Sequence, residues 1–442
     1  MRFTRTLRAA GSAVVAGALL FGTAPVASAD QVRNDQWPLK YFDAEAIWKV
    51  STGKGVTVAV LDDPVDGNHP DLKGNVLPGK SFITGGTANR AYGEREHGTA
   101  MASLIAGHGH GAAENDGVKG LAPDAKILPV GIDLGDSEKT PSFGTETKYA
   151  DALRYAVDQG AKVVNMSFGG ASISDDEKKA IDYARQHDVL LVAGSGNTAV
   201  DSPRYPAAQP GVLSVGAVDK DLHVWSNSNY GSSVQLTAPG VYIRSAGVQD
   251  PYRLANGTSD SAAYVSAAAA LLRSKFPDLT AGQIANRLVK TAGLPEDKKG
   301  LKLPDAHYGY GFIKPYSALT KDIPAGSPNG PLEVAGDGSS SKSSQGPGAD
   351  LQQAKIKEKG MSVGAVIGLA AGGVVVFALI VVAFLVLRKK NRRNGPPPGD
   401  AGGFGESGRG PNGPGFAPQP PNPYQQQPGS YPSGPPVQPP GR

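Results

Sequence analysis

The sequence contains no cysteine among its 442 residues. Disulfide bonds are therefore excluded, and an exported domain in this chain must be stabilised by its hydrophobic core alone. The chain also lacks a strong excess of charge, because 44 lysines and arginines stand against 40 aspartates and glutamates, a formal net charge of +4. Part of this charge lies near the two ends of the chain. The overall charge therefore indicates neither a nucleic-acid partner nor a substrate class.

The N-terminus has the pattern of a secretory signal peptide. Three arginines lie within the first eight residues, an apolar stretch follows at residues 13–21, and a small-x-small cleavage site lies at residues 27–29. The alternative, a short anchor helix, is disfavoured because the apolar stretch is too short to span a bilayer. We predict that residues 1–29 form a signal peptide that is removed.

A second apolar stretch, residues 361–387, contains no charged residue and is long enough for a helix of about 40 Å. We predict that it is a transmembrane helix. A basic cluster follows it directly, formed by Arg388, Lys389, Lys390, Arg392 and Arg393. By the positive-inside rule this cluster places the C-terminus in the cytoplasm and the larger N-terminal part outside the cell. We therefore expect a single-pass protein of the cell membrane, and we assign the cluster to membrane orientation and not to nucleic-acid binding.

Only the middle of the chain has the composition of a folded domain. We predict that this domain covers residues 30–321 and that a flexible linker rich in glycine, serine and proline covers residues 322–360. The last segment, residues 388–442, is rich in proline and glycine and too poor in apolar residues to fold. We expect it to be a disordered cytoplasmic tail.

Within the central domain, short β-branched runs alternate with helical patterns, which predicts an α/β fold with a parallel sheet. The predicted strands are residues 56–61, 126–130, 163–167, 189–193 and 213–217. The predicted helices are residues 98–107, 147–159, 175–187, 261–276 and 280–291. In such folds functional loops gather at the carboxyl ends of the strands, so we look there for reactive side chains.

Four polar residues lie in settings suited to acyl-transfer chemistry. Ser259 follows Asn256-Gly257-Thr258 at the start of an alanine-rich helix, where its hydroxyl is accessible and its N–H can face an oxyanion. Asp62 closes the first strong strand, and His97 lies at the mouth of a helix of small and apolar residues. Asn197 follows a buried strand, where its amide N–H can donate to an oxyanion. Taken singly each residue also fits an ordinary turn or cap, so their combination carries the prediction.

The order Asp62, His97, Asn197, Ser259 and the surrounding motifs resemble the subtilisin-like (S8) serine peptidases. Supporting segments are Gly120-Leu121-Ala122-Pro123, Val164-Asn165-Met166-Ser167-Phe168-Gly169 and Tyr205-Pro206-Ala207. The resemblance implies a subtilisin-like three-layer α/β/α fold with a mostly parallel sheet. It also implies a catalytic triad of Asp62, His97 and Ser259, with Asn197 stabilising the oxyanion.

The same resemblance implies where substrate binds. Ser167, Phe168 and Gly169 would pair with an extended peptide, and Gly194, Ser195 and Gly196 would border the pocket for the residue before the scissile bond. We predict no cofactor. The acidic residues near Asp62 and Asp71 match no complete ligand loop, so we also predict no metal.

Three features depart from the usual family pattern. Asp62 is followed by Asp63-Pro64 where the family usually has threonine or serine and then glycine, and Ser259 is followed by Asp260 where methionine is common. We expect the carboxylate of Asp260 to raise the pKa of His97. The interval between the signal peptide and the catalytic domain is also short, so we expect no folding pro-domain of the usual kind.

The short N-terminus, single peptidase domain, linker and C-terminal span are similar to the mycosins, membrane-anchored S8 peptidases associated with type VII secretion. This resemblance implies an endopeptidase that cleaves exported or cell-envelope proteins, with membrane proteins of a secretion complex as candidate partners. The alternative is a scaffold with the S8 fold that stabilises such a complex, with proteolysis secondary.

Overall fold

The computed structural model describes residues 31–93, 95–134 and 149–332. The predicted signal peptide, the predicted membrane span at 361–387 and the tail at 388–442 lie outside the described residues, as does the linker from residue 333 onward. Among the described residues, no helix combines the length and the apolar character needed to cross a membrane.

The described domain is built on a parallel sheet of seven strands in the order β2-β5-β1-β6-β7-β8-β9, with every neighbouring pair parallel. These strands are β1 (Thr57–Asp62), β2 (Lys80–Ser81), β5 (Lys126–Gly131), β6 (Val163–Met166), β7 (Leu190–Gly194), β8 (Val212–Val218) and β9 (Leu236–Pro239). Two antiparallel hairpins accompany the sheet, formed by β3 (His108–His110) with β4 (Asp116–Lys119) and by β10 (Ile243–Ala246) with β11 (Tyr252–Ala255). The five strands predicted from β-branched runs are confirmed.

Helices lie on both faces of the sheet. They are α1 (Trp37–Phe42), α2 (Ala44–Trp48), α3 (His97–Ala106), α4 (Ala150–Asp158), α5 (Asp175–Gln186), α6 (Thr258–Lys275), α7 (Ala281–Thr291) and α8 (Pro315–Thr320). The alternation of side chains along β1 shows the layers: Val58 and Val60 belong to the apolar cluster that contains α3 and α6, whereas Ala59 and Leu61 belong to the cluster that contains α4 and α5. Successive side chains of a strand point to opposite faces, so the architecture is helix, sheet, helix.

Helix α6 lies at the centre of its layer. Nearly all of its residues from Thr258 to Arg273 are buried, and it packs against strands β6 to β9 and against α3. Small side chains at 262–263 and 267–270 allow this helix to approach the sheet closely. The sequence predicted the helix from residue 261, but it begins at Thr258, so Ser259 lies within its first turn.

Several short elements were not predicted: strands β2 and β9, the four hairpin strands, and helices α1, α2 and α8. Strand β9, with the sequence Leu-Thr-Ala-Pro, lacks a β-branched run and ends in proline, a residue that sheets accept at an edge. The strands of the two hairpins are only three or four residues long. Their pairing is set by tertiary contacts and not by periodicity.

The folded part of the chain continues past the predicted domain end at residue 321. Residues 322–332 run along α7, where Gln283 and Asn286 donate hydrogen bonds to backbone carbonyls of this segment. A 3₁₀ turn at Gly330–Leu332 then buries Leu332. The side chains of α7 therefore hold in place a segment whose composition alone resembles a linker.

Arg287 of α7 fixes the start of this segment. The residue is 5% exposed, and its guanidinium donates to the carbonyl oxygens of Ala318, Lys321 and Ile323 at 2.9, 2.6 and 3.1 Å. One buried cation thus satisfies three carbonyl groups at the end of α8 and beyond it.

We predict that Arg287→Met lowers the free energy of unfolding by about 2–4 kcal/mol, because three carbonyl groups lose their donor while the apolar stem is retained. Lys290→Met, an exposed change on the same helix, is the matched control and should change stability by less than about 0.5 kcal/mol. Urea denaturation of the two variants measures the difference. Equal stabilities would contradict the role of this guanidinium.

Candidate active site

Asp62 and His97 form a hydrogen-bonded pair at the carboxyl end of β1. Asp62 is fully buried, and its two carboxylate oxygens lie 2.8 and 3.0 Å from His97 Nδ1. This contact fixes the ring with Nδ1 as donor and leaves Nε2 free to act as a base. The His97 side chain is 25% exposed, so the free face of the ring is accessible from solvent.

A close backbone approach places His97 beside Asp62. His97 is the first residue of α3, and the next residue is Gly98. A Cβ atom at residue 98 would lie 2.0 Å from the Asp63 carbonyl oxygen. Only glycine therefore lets α3 begin directly against the end of β1.

The electrostatic setting favours the protonated form of His97. Burial lowers the pKa of His97, but the charge of Asp62 and its hydrogen bond outweigh this effect, so the pKa lies above its ordinary value. Asp260 acts in the same direction and Arg253 opposes it. The expectation from the sequence that Asp260 raises the pKa of His97 agrees with this result.

Ser259 lies in the first turn of α6 and is tied to the end of β6. Its hydroxyl donates to the Ser167 carbonyl oxygen at 3.2 Å, and the Ser167 hydroxyl donates to the Ser259 carbonyl oxygen at 3.0 Å. Asn165 links both elements, because its amide donates to the Ser167 hydroxyl and accepts from Ser266. Within the described chain, no hydrogen bond joins Ser259 to His97. The Ser259 hydroxyl donates its hydrogen bond to the Ser167 carbonyl oxygen instead.

Asn197 is oriented by the first residue of α6. Its side-chain oxygen accepts from the Thr258 N–H at 3.0 Å and from the Thr258 hydroxyl at 2.8 Å. Because the oxygen is held in this way, the amide N–H₂ group is turned away from Thr258. Asn197 is exposed, and its Nδ2 lies 3.7 Å from the position that a Cβ atom would take at Gly257. The Ser259 backbone nitrogen lies 3.6 Å from the same position. Two donors therefore border one small space beside the serine.

The predicted substrate-binding residues lie on two loops beside this space. Ser167, Phe168 and Gly169 follow β6; Phe168 packs against Tyr149, and Gly169 is exposed. The backbone beyond them pairs with another loop, because Gly170 and Tyr205 exchange N–H to carbonyl hydrogen bonds of 2.8 and 2.9 Å.

The second loop consists of Gly194 at the end of β7, Ser195 and Gly196. The Ser195 hydroxyl donates inward to the Asn229 carbonyl oxygen, and the Gly196 N–H donates to the Thr258 hydroxyl. The Ser195 side chain therefore faces the interior. This loop therefore presents its backbone atoms to the site.

Several contacts in the site were not predicted from the sequence. Thr258, which had no predicted role, orients Asn197. Ser167, which was predicted to bind substrate, also accepts the hydrogen bond of the Ser259 hydroxyl at its carbonyl oxygen. Asp63 forms an ion pair with Arg95 at 3.2 Å. Burial, together with the charge of Asp62, raises the pKa of Asp63 to about 6. The Asp62-Asp63 doublet was the only sequence signal for this second carboxyl group.

The acidic residues considered for a metal are occupied by protein groups. Asp71 is fully buried and accepts hydrogen bonds from His110 Nδ1 at 2.6 Å and from the Val118 N–H at 2.7 Å. Arg33 supplies a nearby cation, since its guanidinium donates to the carbonyl oxygens of Glu114, Asp116 and Gly117. Among the described residues, one group has metal-ligand spacing: Asp219, which is half-buried, with Asp221 and His223, which are exposed.

Comparison with known proteins identifies the family of the chain. Residues 53–311, more than half of the chain, match the subtilase (peptidase S8) family. Subtilisin Savinase from Lederbergia lenta is 38% identical over 242 residues, which cover 54% of this chain and 84% of that relative. Fervidolysin from Fervidobacterium pennivorans is 34% identical over 328 residues, which cover 67% of this chain and 45% of that relative. The chain thus spans less than half the length of fervidolysin and of another curated subtilase-type relative.

Among solved structures, the chain is similar to the crystal structure of MycP1 from Mycobacterium smegmatis. The TM-score is 0.56 at 30% sequence identity, with 67% of this chain and 88% of that chain covered. The comparisons confirm the predicted subtilisin-like α/β fold with its mostly parallel sheet, and they confirm the resemblance to mycosins.

We predict that Thr258→Val lowers kcat for peptide hydrolysis by about tenfold and leaves KM nearly unchanged. The variant keeps the shape of the side chain but removes one of the two groups that orient Asn197. Complete loss of an oxyanion donor, the role predicted for Asn197, costs about 10²–10³ in kcat. Thr258→Ser, which retains the hydroxyl, is the matched control and should keep most of the activity. If the valine and serine variants have the same kcat, the hydroxyl does not position Asn197.

Proposed function

The chain belongs to the subtilase family of serine peptidases, and from this premise we propose that it is a membrane-anchored endopeptidase that cleaves extended segments of exported or cell-envelope proteins. The observation that supports this most directly is the Asp62 carboxylate bound to His97 Nδ1 at the mouth of α3, with Ser259 in the first turn of α6. An S8 domain acts on peptide bonds, so a protein or peptide is the expected substrate. The finer parts of the proposal are its membrane anchor and its place in secretion.

The mechanism follows from the positions of these groups. His97 Nε2 takes the proton of Ser259 Oγ as that oxygen attacks the scissile carbonyl carbon, and Asp62 stabilises the imidazolium that forms. To reach this state, the Ser259 hydroxyl gives up its hydrogen bond to the Ser167 carbonyl oxygen. His97 then passes the proton to the leaving amine, and water hydrolyses the acyl-enzyme by the reverse sequence.

The oxyanion of the tetrahedral intermediate needs donors that are already in place. The Ser259 N–H and the Asn197 amide border the space over Gly257, which has no side chain to fill it. An extended peptide laid along residues 167–169 would bring its scissile carbonyl group to this space. We assign the catalytic roles to Asp62, His97 and Ser259 and the oxyanion role to Asn197.

The membrane and secretion parts of the proposal rest on the sequence and on the solved relatives. Residues 361–387 have the length and composition of a membrane span, and the basic cluster follows them. One of the similar structures is described as MycP1, an essential component of the type VII (ESX-1) secretion system. We propose a corresponding position for this chain, with its catalytic domain outside the cytoplasmic membrane and membrane proteins of a secretion complex as partners.

We expect a fluorophosphonate probe to label the full-length protein at Ser259, because the probe requires an activated serine hydroxyl. Ser259→Ala should abolish labelling, and His97→Ala should reduce it by at least about 10³-fold. His187→Ala, an exposed histidine at the end of α5, is the matched control and should label like the wild type. Absence of labelling in the folded wild-type protein would contradict the peptidase proposal.

We also expect the full-length protein to remain in the membrane fraction after alkaline carbonate extraction, whereas deletion of residues 361–387 should release it. Deletion of residues 401–442, which leaves the apolar stretch and its basic flank intact, is the control and should not release the protein.

Ser259→Ala tests the scaffold alternative in the same cells: secretion that persists while processing of envelope proteins stops supports the peptidase. Secretion that fails only when 361–387 is exchanged for an unrelated span supports the scaffold.

A further inference from the structure

Asp260 is a buried carboxyl group with an unpartnered oxygen next to the nucleophile. It is the residue after Ser259 and is 2% exposed. In the part of the chain that the structure describes, its Oδ1 has no hydrogen-bond partner. Burial in such a position destabilises a carboxylate strongly, because it loses its hydration, and destabilises a neutral carboxylic acid much less. The site therefore favours the protonated form of Asp260.

The other oxygen of Asp260 borders the space assigned to the oxyanion. Asp260 Oδ2 lies 3.3 Å from the position that a Cβ atom would take at Gly257. The Ser259 nitrogen and Asn197 Nδ2 lie 3.6 and 3.7 Å from this same position. Three polar groups thus surround one small space, and two of them are the donors of the proposed mechanism. A negative charge on the third group would oppose an oxyanion there, while a proton on it would add a donor.

The charged and titratable groups around Asp260 come from three elements. His97 at the start of α3 and Arg253 on β11 act on it through their charges, and Tyr264 lies one turn further along α6. Burial raises the pKa of Asp260, and the charges of Arg253 and His97 together with a hydrogen bond from its own backbone N–H offset this only in part. Arg253 Nε and the Tyr264 hydroxyl, like Asp260 Oδ1, are buried without a hydrogen-bond partner within the described residues. No neighbouring group is thus hydrogen-bonded to Oδ1 to stabilise its ionised form.

We propose that Asp260 is a third member of the oxyanion site and that the site is active while Asp260 is protonated and His97 is neutral. In this form His97 can accept the Ser259 proton, and the Asp260 O–H can donate to the oxyanion beside Asn197 and Ser259. The Asp260 proton is not transferred in the reaction. Loss of this proton at higher pH places a carboxylate beside the developing negative charge and slows attack. This inference rests on the proposed peptidase function.

The test is the pH dependence of the rate constant for fluorophosphonate labelling of Ser259 in the full-length protein. The reaction places a phosphonyl oxygen where the oxyanion would lie, and it needs no knowledge of the natural substrate. For the wild type we expect a bell-shaped profile whose alkaline limb falls by about tenfold per pH unit. Asp260→Asn should lack the alkaline limb, because an amide of the same shape has no proton to lose. Its acid limb should stay close to that of the wild type, since Asp260 is already neutral in the wild type over the pH range in which His97 titrates.

Two further variants make the result specific. Asp260→Met is a second neutral replacement, so the limb should be absent there also, even if one of the two variants folds poorly. Asp63→Asn removes the other carboxyl group beside the pair and should retain the alkaline limb. An alkaline limb that survives in the Asp260 variants, or that disappears in Asp63→Asn alone, overturns the inference while leaving the peptidase proposal intact. Absence of labelling in the wild type at every pH overturns both.

Discussion

The packing of α6 against strands β6 to β9 of the sheet is the constraint on which the site depends. Alanines at 262–263 and 267–270 bring this helix close to the sheet, and its first turn then meets the loops after β6 and β7. Ser259 is consequently placed by a buried helix and not by a mobile loop. A nucleophile on a rigid element keeps its position relative to the oxyanion donors at little entropic cost during the reaction.

Hydrogen bonds between the loops and α6 convert this packing into site geometry. The reciprocal bonds between Ser167 and Ser259 fix the distance between the substrate-binding loop and the nucleophile. The Thr258 hydroxyl fixes the position of Asn197 by donating to its side-chain oxygen, and it also accepts a hydrogen bond from the Gly196 N–H. One turn of helix thereby organises the proposed nucleophile, the proposed oxyanion donor and both walls of the proposed substrate channel. The Ser259 hydroxyl donates to the Ser167 carbonyl oxygen in this structure. In the proposed mechanism it must therefore change its acceptor from this oxygen to His97 Nε2 before the attack.

Carboxyl groups surround His97 on several sides, and they serve different purposes. Asp62 is bound directly to the ring and stabilises its charged form. Asp63 is partly neutralised by its ion pair with Arg95, and burial keeps its pKa high. Among the residues that the structure describes, none pairs with Asp260 Oδ1, and the Asp260 carboxyl group lies beside the proposed oxyanion donors. The same chemical group thus acts as an orienter, as half of an ion pair and as a proton-carrying neighbour, according to its burial and its partners.

Local pattern in the sequence was sufficient for most of the parallel sheet, and the resemblance to S8 peptidases supplied the candidate site residues. The β-branched runs and helical periodicities predicted five strands of the sheet and the helices that carry His97 and Ser259, because hydrophobic period reflects burial on each element. The positions of Asp62, His97, Asn197 and Ser259 at the ends of those elements predicted that they would meet at one edge of the sheet. Strands β2 and β9 and the short hairpin strands escaped prediction because two to four residues are too few to show a period.

What only the tertiary structure decided is the environment of each side chain. Asp260 and Asp63 could be identified from the sequence as unusual, but burial and the charges of Arg253 and Arg95, which come from other elements, set their protonation. The same holds for residues 322–332, whose linker-like composition gave no sign that α7 would bind them through Arg287 and Asn286. Composition and period are properties of a segment, whereas desolvation, hydrogen-bond partners and electrostatic coupling belong to groups that folding brings together.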